Sequence, residues 1–329
     1  MKTAIITGIY GQDGTLLAEY LNEKNYKVVG LVSKERATKS KLDFAEIIET
    51  NIFDIIKMKE IFNRYKPSEC YHLAAAHHSS EGKSDKEIRM EMLRVNFLST
   101  QIMIDVILAV VPDCRFLYAG SSQMYTAEND VTIIDENTAY KPSTYYGITK
   151  VASAQLIDLM RRTNDFWGVT VILFNHESVN RSEQFLSRKV TCAVSNFFNE
   201  SNEKQPAKIN KLCLNDVSAR VDWSAASDFI RAFHLSLQAD EASDFVLASG
   251  HVHTVRELLQ EAFSVVGLDW NEYVETENQL NNSLKPCLQG NPEKAMKKLC
   301  WKPDKSFADL IKEMVEYDMK IIQSDKTSN

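Results

Sequence analysis

The stretch Thr7-Gly8-Ile9-Tyr10-Gly11-Gln12-Asp13-Gly14 (TGIYGQDG) ends a short β-branched run over residues 2–7. It opens a helical pattern that places Leu16, Leu17, Tyr20 and Leu21 on one face. Glycine at 8, 11 and 14 lets the chain turn tightly between the two elements. It also lets the backbone amides approach a pyrophosphate, which the positive end of the helix favours. Taken alone, a glycine trio is equally compatible with a simple tight turn. Its place between a strand and a helix, with a second apolar strand following at 26–32 (YKVVGLV), completes a β-α-β unit and favours a dinucleotide site.

Outward from that unit the alternation continues: ECYHLAA (69–75), a helix-compatible stretch over 88–110, CRFLYAG (114–120), a helix over 147–160 and VTVILFN (169–175). Apolar strands alternating with helices predict a parallel sheet covered on both faces, an α/β fold of the Rossmann, doubly wound type. After Asn175 the chain turns polar and loop-like (HESVNRSEQFLSRK), and residues 199–210 read as a surface linker. DFVLAS (244–249) reads as one more core strand, and 254–267 and 306–320 as amphipathic helices with Thr254 and Ser306 as N-caps. The expected organisation is a nucleotide-binding domain over 1–174, re-entered at about 213–248, and a smaller α/β lobe from 175–212 and 249–329. The tail from Gln323 is read as frayed.

The 329 residues are 44% hydrophobic and 25% charged, as in an ordinary globular protein. A net charge of -7 argues against a general nucleic-acid surface, which needs clustered Lys and Arg. By eye, no apolar run approaches the roughly 20 residues of a bilayer span, and the N-terminus enters a glycine loop at once, so a cytoplasmic protein without a membrane partner is expected. The six cysteines form no C-x-x-C pair and no close Cys/His spacing, so neither a metal site nor a disulfide framework is indicated. The adjacent His77 and His78 are read as polar lining where a substrate enters, and Trp223 and Trp301 as packing residues.

YYGITK places Tyr146 and Lys150 at i and i+4, on one face of a helix. An ammonium beside a phenol lowers its pKa, so the tyrosinate can take the proton of a carbinol as hydride leaves for a nicotinamide. Ser121, at the strand end YAGSSQ, is placed to hydrogen-bond the same oxygen. The spacing alone is cheap, since Tyr20 and Lys24 match it too. Tyr146 is preferred because it follows a hydroxyl-rich strand end at the carboxyl edge of the sheet, where ligands bind, whereas Tyr20 suits helix packing.

TGIYGQDG, HLAAAH (72–77), VN (95–96), YGITK, ILFNHES (172–178), SRK (187–189) and GNPEKAMKKLCWKP (290–303) together resemble the GDP-mannose 4,6-dehydratase branch of the extended short-chain dehydrogenase/reductase family. The resemblance covers nearly the whole chain. It implies a bound nicotinamide cofactor, a nucleotide-diphospho-sugar in the C-terminal lobe, and a homodimer or homotetramer. Carried onto this chain, it implies cofactor contacts from Gly8, Gly11, Gln12, Asp13, Gly14, Ser33, Lys34, Arg36, Asn51, Ile52, Leu73, Ala74, Ala75, Tyr146, Lys150, His176 and Arg181. The implied substrate contacts are Ser122, Asn175, Leu186, Lys189, Arg220 and Lys285.

The departures from the family pattern are on the chemistry. Where the family has glutamate two residues after the serine, this chain has Gln123, an amide with no usable pKa near neutrality. In the family that carboxylate removes the C5 proton and protonates the departing C6 hydroxyl, and losing a positioned acid/base costs roughly 100- to 10,000-fold. The rival reading is that Glu128 or Asp130 reaches in instead. The family's substrate-side arginine is Val221 here, with Arg220 one residue earlier, and its RPAE becomes Lys285-Pro286-Cys287-Leu288. Ser33-Lys34 stands for a pair of arginines and Asn51 for an aspartate, which favours NAD while leaving NADP open. The expected activity is NAD(P)-dependent oxidation at C4 of a GDP-sugar, of mannose or manno-heptose type, without dehydration. The alternatives are a 4,6-dehydratase, a 4-keto reductase or epimerase, and a nucleotide-binding assembly partner.

Overall fold

Seven strands make one parallel sheet in the order β11-β7-β5-β4-β1-β2-β3. The computed structural model describes residues 1–34, 42–77, 86–201, 210–276 and 285–327, with side chains to 324. In chain order the first half runs β1 (Thr3–Thr7), α1 (Gln12–Glu23), β2 (Lys27–Val32), β3 (Glu46–Glu49), α2 (Ile55–Tyr65), β4 (Glu69–His72), α3 (Lys86–Leu93), α4 (Ser99–Val110), β5 (Arg115–Ala119), β6 (Val131–Ile134), α5 (Tyr145–Asn164) and β7 (Gly168–Leu173). The register puts Thr7 beside Leu31 and His72, and His72 beside Tyr118, so the strand ends carrying the glycine loop and the serine lie side by side. The central strands are buried and largely apolar because helices cover both faces, with Thr7, Glu69 and His72 the buried polar exceptions on β1 and β4. Ile6, Leu17, Leu21 and Phe233 fill one layer; Ile5, Phe62, Ile107 and Phe116 fill the other.

Helices α3 and α4 are one continuous helix with a π-helical turn, Arg94–Leu98, between them. By length and composition this 25-residue helix is apolar enough to cross a membrane, which corrects the expectation that no stretch approaches that size. Its apolar side is spent on the sheet, where Ile102, Met103, Val106 and Ile107 join the layer around Phe116. A core helix of an α/β protein and a spanning helix differ little in composition when one face is wholly buried.

The second half runs β8 (Asn175–Glu177), α6 (Leu186–Ser201), β9 (Leu212–Leu214), β10 (Arg220–Ala225), α7 (Ala226–Ser236), β11 (Phe245–Leu247), β12 (Val252–Thr254), α8 (Val255–Ser264), α9 (Trp270–Tyr273), β13 (Val274–Thr276), β14 (Cys287–Gly290), α10 (Glu293–Leu299) and α11 (Phe307–Thr327). The chain re-enters the large sheet at β11, beside β7, and α7 packs over α1. The remaining elements build a second core from Val190, Phe197, Trp223, Leu258, Phe263, Ile311 and Val315, with three small sheets: β12-β10-β8, β13-β9 and β14-β6. Thr254 and Ser306 cap α8 and α11 as their residue types suggest. The part of the tail within the described residues, 323–327, continues α11 rather than fraying. Trp223 and Trp301 are buried packing residues, the Trp301 indole donating to the Asp228 carbonyl at 2.7 Å. Most of the expected linker over 199–210 lies outside the described residues.

Candidate active site

The glycine loop forms a cradle that side chains would fill. Gly8 has a φ of 73°, and a Cβ there would lie 2.9 Å from the Ala74 amide nitrogen; at Gly14 one would lie 2.3 Å from the Gly8 carbonyl. Thr7 Oγ1 accepts from that Ala74 amide at 3.1 Å, tying the loop after β1 to the loop after β4. Gly11 begins α1 without a side-chain cap, so the positive helix end faces the same space. These features fit a dinucleotide pyrophosphate. Around the cradle, Ser33 and Lys34 are exposed just past β2, and Leu73, Ala74 and Ala75 follow β4. Asn51 is also exposed and turns its carbonyl to the Phe53 amide, 3.1 Å away, while Ile52 packs against the core. Arg36 and His78 lie outside the described residues.

Ser121, Tyr146 and Lys150 come together at the edge of β5. Thr144 caps α5, its hydroxyl accepting from the Gly147 amide at 2.9 Å, which sets the first helical turn with Tyr146 facing the sheet. Lys150, only 1% exposed, donates to the Ala119 carbonyl at 2.8 Å, and its ammonium lies 5.4 Å from the centre of the Tyr146 ring. Burial pulls the Lys150 ammonium down to about 7, against the charge of Asp13, which raises it. Burial holds the Tyr146 phenol above its ordinary value, with a hydrogen bond from Ser121 and the charge of Arg181 pulling it back. The expectation that Lys150 brings the phenol down is therefore corrected for the protein alone: both groups are stripped of water, and each resists carrying charge.

Gln123 stands beside this trio, fully engaged. Its carbonyl accepts from the Thr144 hydroxyl at 3.1 Å, and its amide nitrogen faces His77 Nε2 at 3.4 Å. The approach of α5 depends on Gly147, where a Cβ would sit 2.1 Å from the Gln123 carbonyl oxygen. The His77 ring meets Tyr146 edge-on at 4.7 Å and stacks on Phe185 at 5.7 Å. Glu128 and Asp130 are exposed and paired elsewhere, with Lys141 and Arg220 respectively.

Behind the trio, a clamp joins the two halves of the chain. Both carboxylate oxygens of Asp13 lie 3.0 Å from His176 Nε2; Gln12 donates to the His176 carbonyl at 3.0 Å and accepts from the Ser178 hydroxyl at 2.9 Å. Burial opposes charge on both partners, yet mutual attraction wins: Asp13 is held below and His176 above its ordinary value. Arg181 pairs with Glu177 at 3.1 Å and covers the Phe185 ring at 3.6 Å.

A cavity of about 280 Å³ adjoins the trio, lined by Ser122, Tyr125, Phe174, Asn175, Arg220 and Cys287 among others. Arg220 is brought there despite its shift by one residue. It donates to the Asp130 carboxylate at 2.6 Å and to the Lys285 carbonyl at 2.9 Å, and its Nε is buried without a protein partner. Lys285 does not line the cavity, although its neighbour Pro286 does; its ammonium pairs with Asp216 at 2.6 Å. Leu186 and Lys189 do not line this cavity: Leu186 packs against the lobe core and Lys189 is exposed on α6.

Three contributors were not singled out by residue-level reading. Thr144 shows a signal, a Thr three residues before a small helical residue. Gly147 shows none, because only the approach of the Gln123 backbone demands it. Asn96, in the π-turn, is wholly buried: its side-chain amide donates to the Ala76 carbonyl and to Thr149, and its backbone carbonyl accepts from Ser153 at 2.7 Å and Tyr118 at 3.1 Å. Three non-local segments meet at that one residue.

A glycine cradle at the edge of a parallel sheet with a Ser-Tyr-Lys trio beside it defines a short-chain dehydrogenase/reductase-type nicotinamide enzyme. Within that class the chain belongs to the GDP-mannose 4,6 dehydratase family, whose model matches residues 5–314. It is 28% identical over 98% of its length to GDP-mannose 4,6 dehydratase of Cricetulus griseus, covering 93% of that protein. To GDP-mannose 4,6 dehydratase 1 of Arabidopsis thaliana it is 29% identical, covering 99% of this chain and 92% of that one. Among solved structures, the UDP-glucose 4-epimerase of Thermotoga maritima superimposes with a TM-score of 0.81 at 18% identity (97% and 99% covered). The dTDP-glucose 4,6-dehydratase of Bacillus anthracis, in complex with NAD, gives 0.80 at 14% (98% of each). The family is one of NAD(P)-dependent nucleotide-sugar enzymes.

Proposed function

We propose that this chain oxidises C4 of a GDP-linked sugar, of mannose or manno-heptose type, to the 4-ketone, using NAD, and retains the C6 oxygen. The observation that carries the reading is Gln123, an amide held by Thr144 and His77 where the family's elimination needs a carboxylate. The other described carboxylates nearby are occupied: Asp13 by His176, Glu128 by Lys141, Asp130 by Arg220. The cofactor, when bound, accepts the C4 hydride. Ser121 and Tyr146 hold the carbinol oxygen and Tyr146 takes its proton as hydride leaves, against the burial that disfavours an ionised phenol in the protein alone, with the Lys150 ammonium held beside the ring by the Ala119 carbonyl. Arg220 is suited to a phosphate through its unpartnered Nε, and Asn175 and Ser122 line the same cavity. Ser33 at the end of β2, in place of a guanidinium, supports NAD over NADP. Exposed Met90, Leu98, Ile148 and Leu159 on and between α3 and α5 support a homo-oligomer built on that face.

The second reading is a 4,6-dehydratase, which family membership favours. The two separate on product mass. Purified protein incubated with GDP-mannose and with GDP-manno-heptose is expected to build up reduced nicotinamide and a ketone that keeps its C6 oxygen. A product short of one water, with no net change in nicotinamide absorbance, establishes the dehydratase instead.

A further inference from the structure

A ketone formed at Tyr146 and Ser121 has acidic hydrogens on its neighbouring ring carbons, and His77 is a titratable side chain that borders Tyr146. His77 lies edge-on to Tyr146 at 4.7 Å and is stacked on Phe185 at 5.7 Å, so its ring plane is set by two aromatic neighbours. Its Nε2 is 3.4 Å from the Gln123 amide nitrogen, which can only donate; that contact is made by a neutral imidazole with its lone pair on Nε2. The Thr144 hydroxyl on the other side of Gln123 can either donate or accept. A rotated amide would therefore present its oxygen to an imidazolium and its nitrogen to Thr144. Gln123 accommodates both protonation states of His77, whereas a carboxylate there would hold the imidazolium and quench the base.

From this geometry we propose that His77 is a catalytic base that removes and returns a hydrogen on a ring carbon next to the C4 ketone. The inference rests on the C4-oxidation reading for the origin of the ketone. The C–H bond breaks and its proton passes to the imidazole. Its electron pair forms the C=C bond of an enolate, whose oxygen accepts from Ser121 and from Tyr146, which burial keeps in the neutral, donating form. Return of a proton from the imidazolium, after exchange with water, regenerates the ketone. No redox partner is needed. The imidazolium returns its proton to the ring carbon; passing it to the C6 hydroxyl instead would be elimination, which the C4-oxidation reading excludes. The site thus suits sugars that undergo hydrogen exchange, or inversion, beside C4.

The test is run in D₂O in two arms. In the first, GDP-mannose or GDP-manno-heptose is oxidised, and ring deuterium is measured by NMR per mole of nicotinamide reduced. In the second, a prepared GDP-linked 4-keto sugar is supplied directly with the cofactor-loaded enzyme, and exchange is compared with the enzyme-free rate. Wild type is expected to exchange well above background. His77→Asn and His77→Gln, shown to be folded by cofactor binding, are expected to lose about 100-fold or more of it. Exchange at the background rate with the supplied ketone, or exchange unchanged in both variants, overturns the role of His77 whatever the first arm shows. Absence of nicotinamide reduction with exchange in the second arm overturns the oxidation reading and leaves His77 as the base.

Discussion

Tyr146 and Lys150 show how much a burial environment decides beyond residue type. Both were legible in YYGITK, but their electrostatics were not: the sequence places a cation near a phenol, while the fold strips water from both. Tyr146→Phe removes the proposed proton acceptor and is expected to lower nicotinamide reduction about 1,000-fold with cofactor affinity largely kept, measured by single-turnover absorbance and fluorescence titration. Gln123→Glu restores the family's carboxylate, which takes over from His77 as the base and carries the proton to the C6 hydroxyl, and is expected to turn part of the product into the species lacking water; a folded variant with the wild-type product mass contradicts the role of position 123. At this scale Gln123 was readable as a departure, whereas its grip by Thr144 and His77 depends on contacts 21 and 46 residues apart.

Among elements, the contact of α1 with β8 is the most informative. Gln12 and Asp13 were expected at the cofactor; the structure also makes them the anchor of the 176–178 segment, through His176 and Ser178. Asp13 has a lowered value, so its contribution is present above the unfolded carboxylate value and lost as pH falls through the folded one. His176 has a raised value, so its contribution is complete below about 6.5 and fades as pH rises through the folded value. The pair therefore stabilises most between about pH 4 and 6.5. Asp13→Asn is expected to lower stability by about 3 kcal/mol in that window and by less at pH 8, as read from urea unfolding at several pH values. Gly14→Ala, whose Cβ would lie 2.6 Å from the Ile9 Cα, is expected to distort the β1-α1 turn and lose cofactor binding by at least about 10-fold in calorimetry.

At the level of the whole molecule, one buried carboxylate joins the lobe to the sheet. Asp222 on β10 accepts from the Ser249 amide at 2.9 Å and its hydroxyl at 2.6 Å, from the Gly250 amide at 3.2 Å and from the Gly290 amide at 3.1 Å. Burial raises its pKa even so, with those four bonds pulling against it. Asp222→Ala leaves these donors stranded and is expected to cost about 3 kcal/mol in thermal unfolding, and to weaken nucleotide-sugar binding because β10 also carries Arg220.

The alternation of β1, α1, β2, β4, the long helix, β5, α5 and β7, the glycine loop and the Ser-Tyr-Lys residues were determined by sequence alone, because hydrophobic period and strand-loop-helix spacing are local properties; β3, α2 and β6 carried too weak a pattern to be read. What only the tertiary structure decided is which distant residues share one space: His77 against Tyr146 and Gln123, Asn96 between three elements, Arg220 reaching the cavity from a shifted position, and Leu186 and Lys189 standing outside it. Those relations come from burial and packing between segments far apart in the chain, and no local pattern encodes the distance between two side chains that meet only after the sheet has closed.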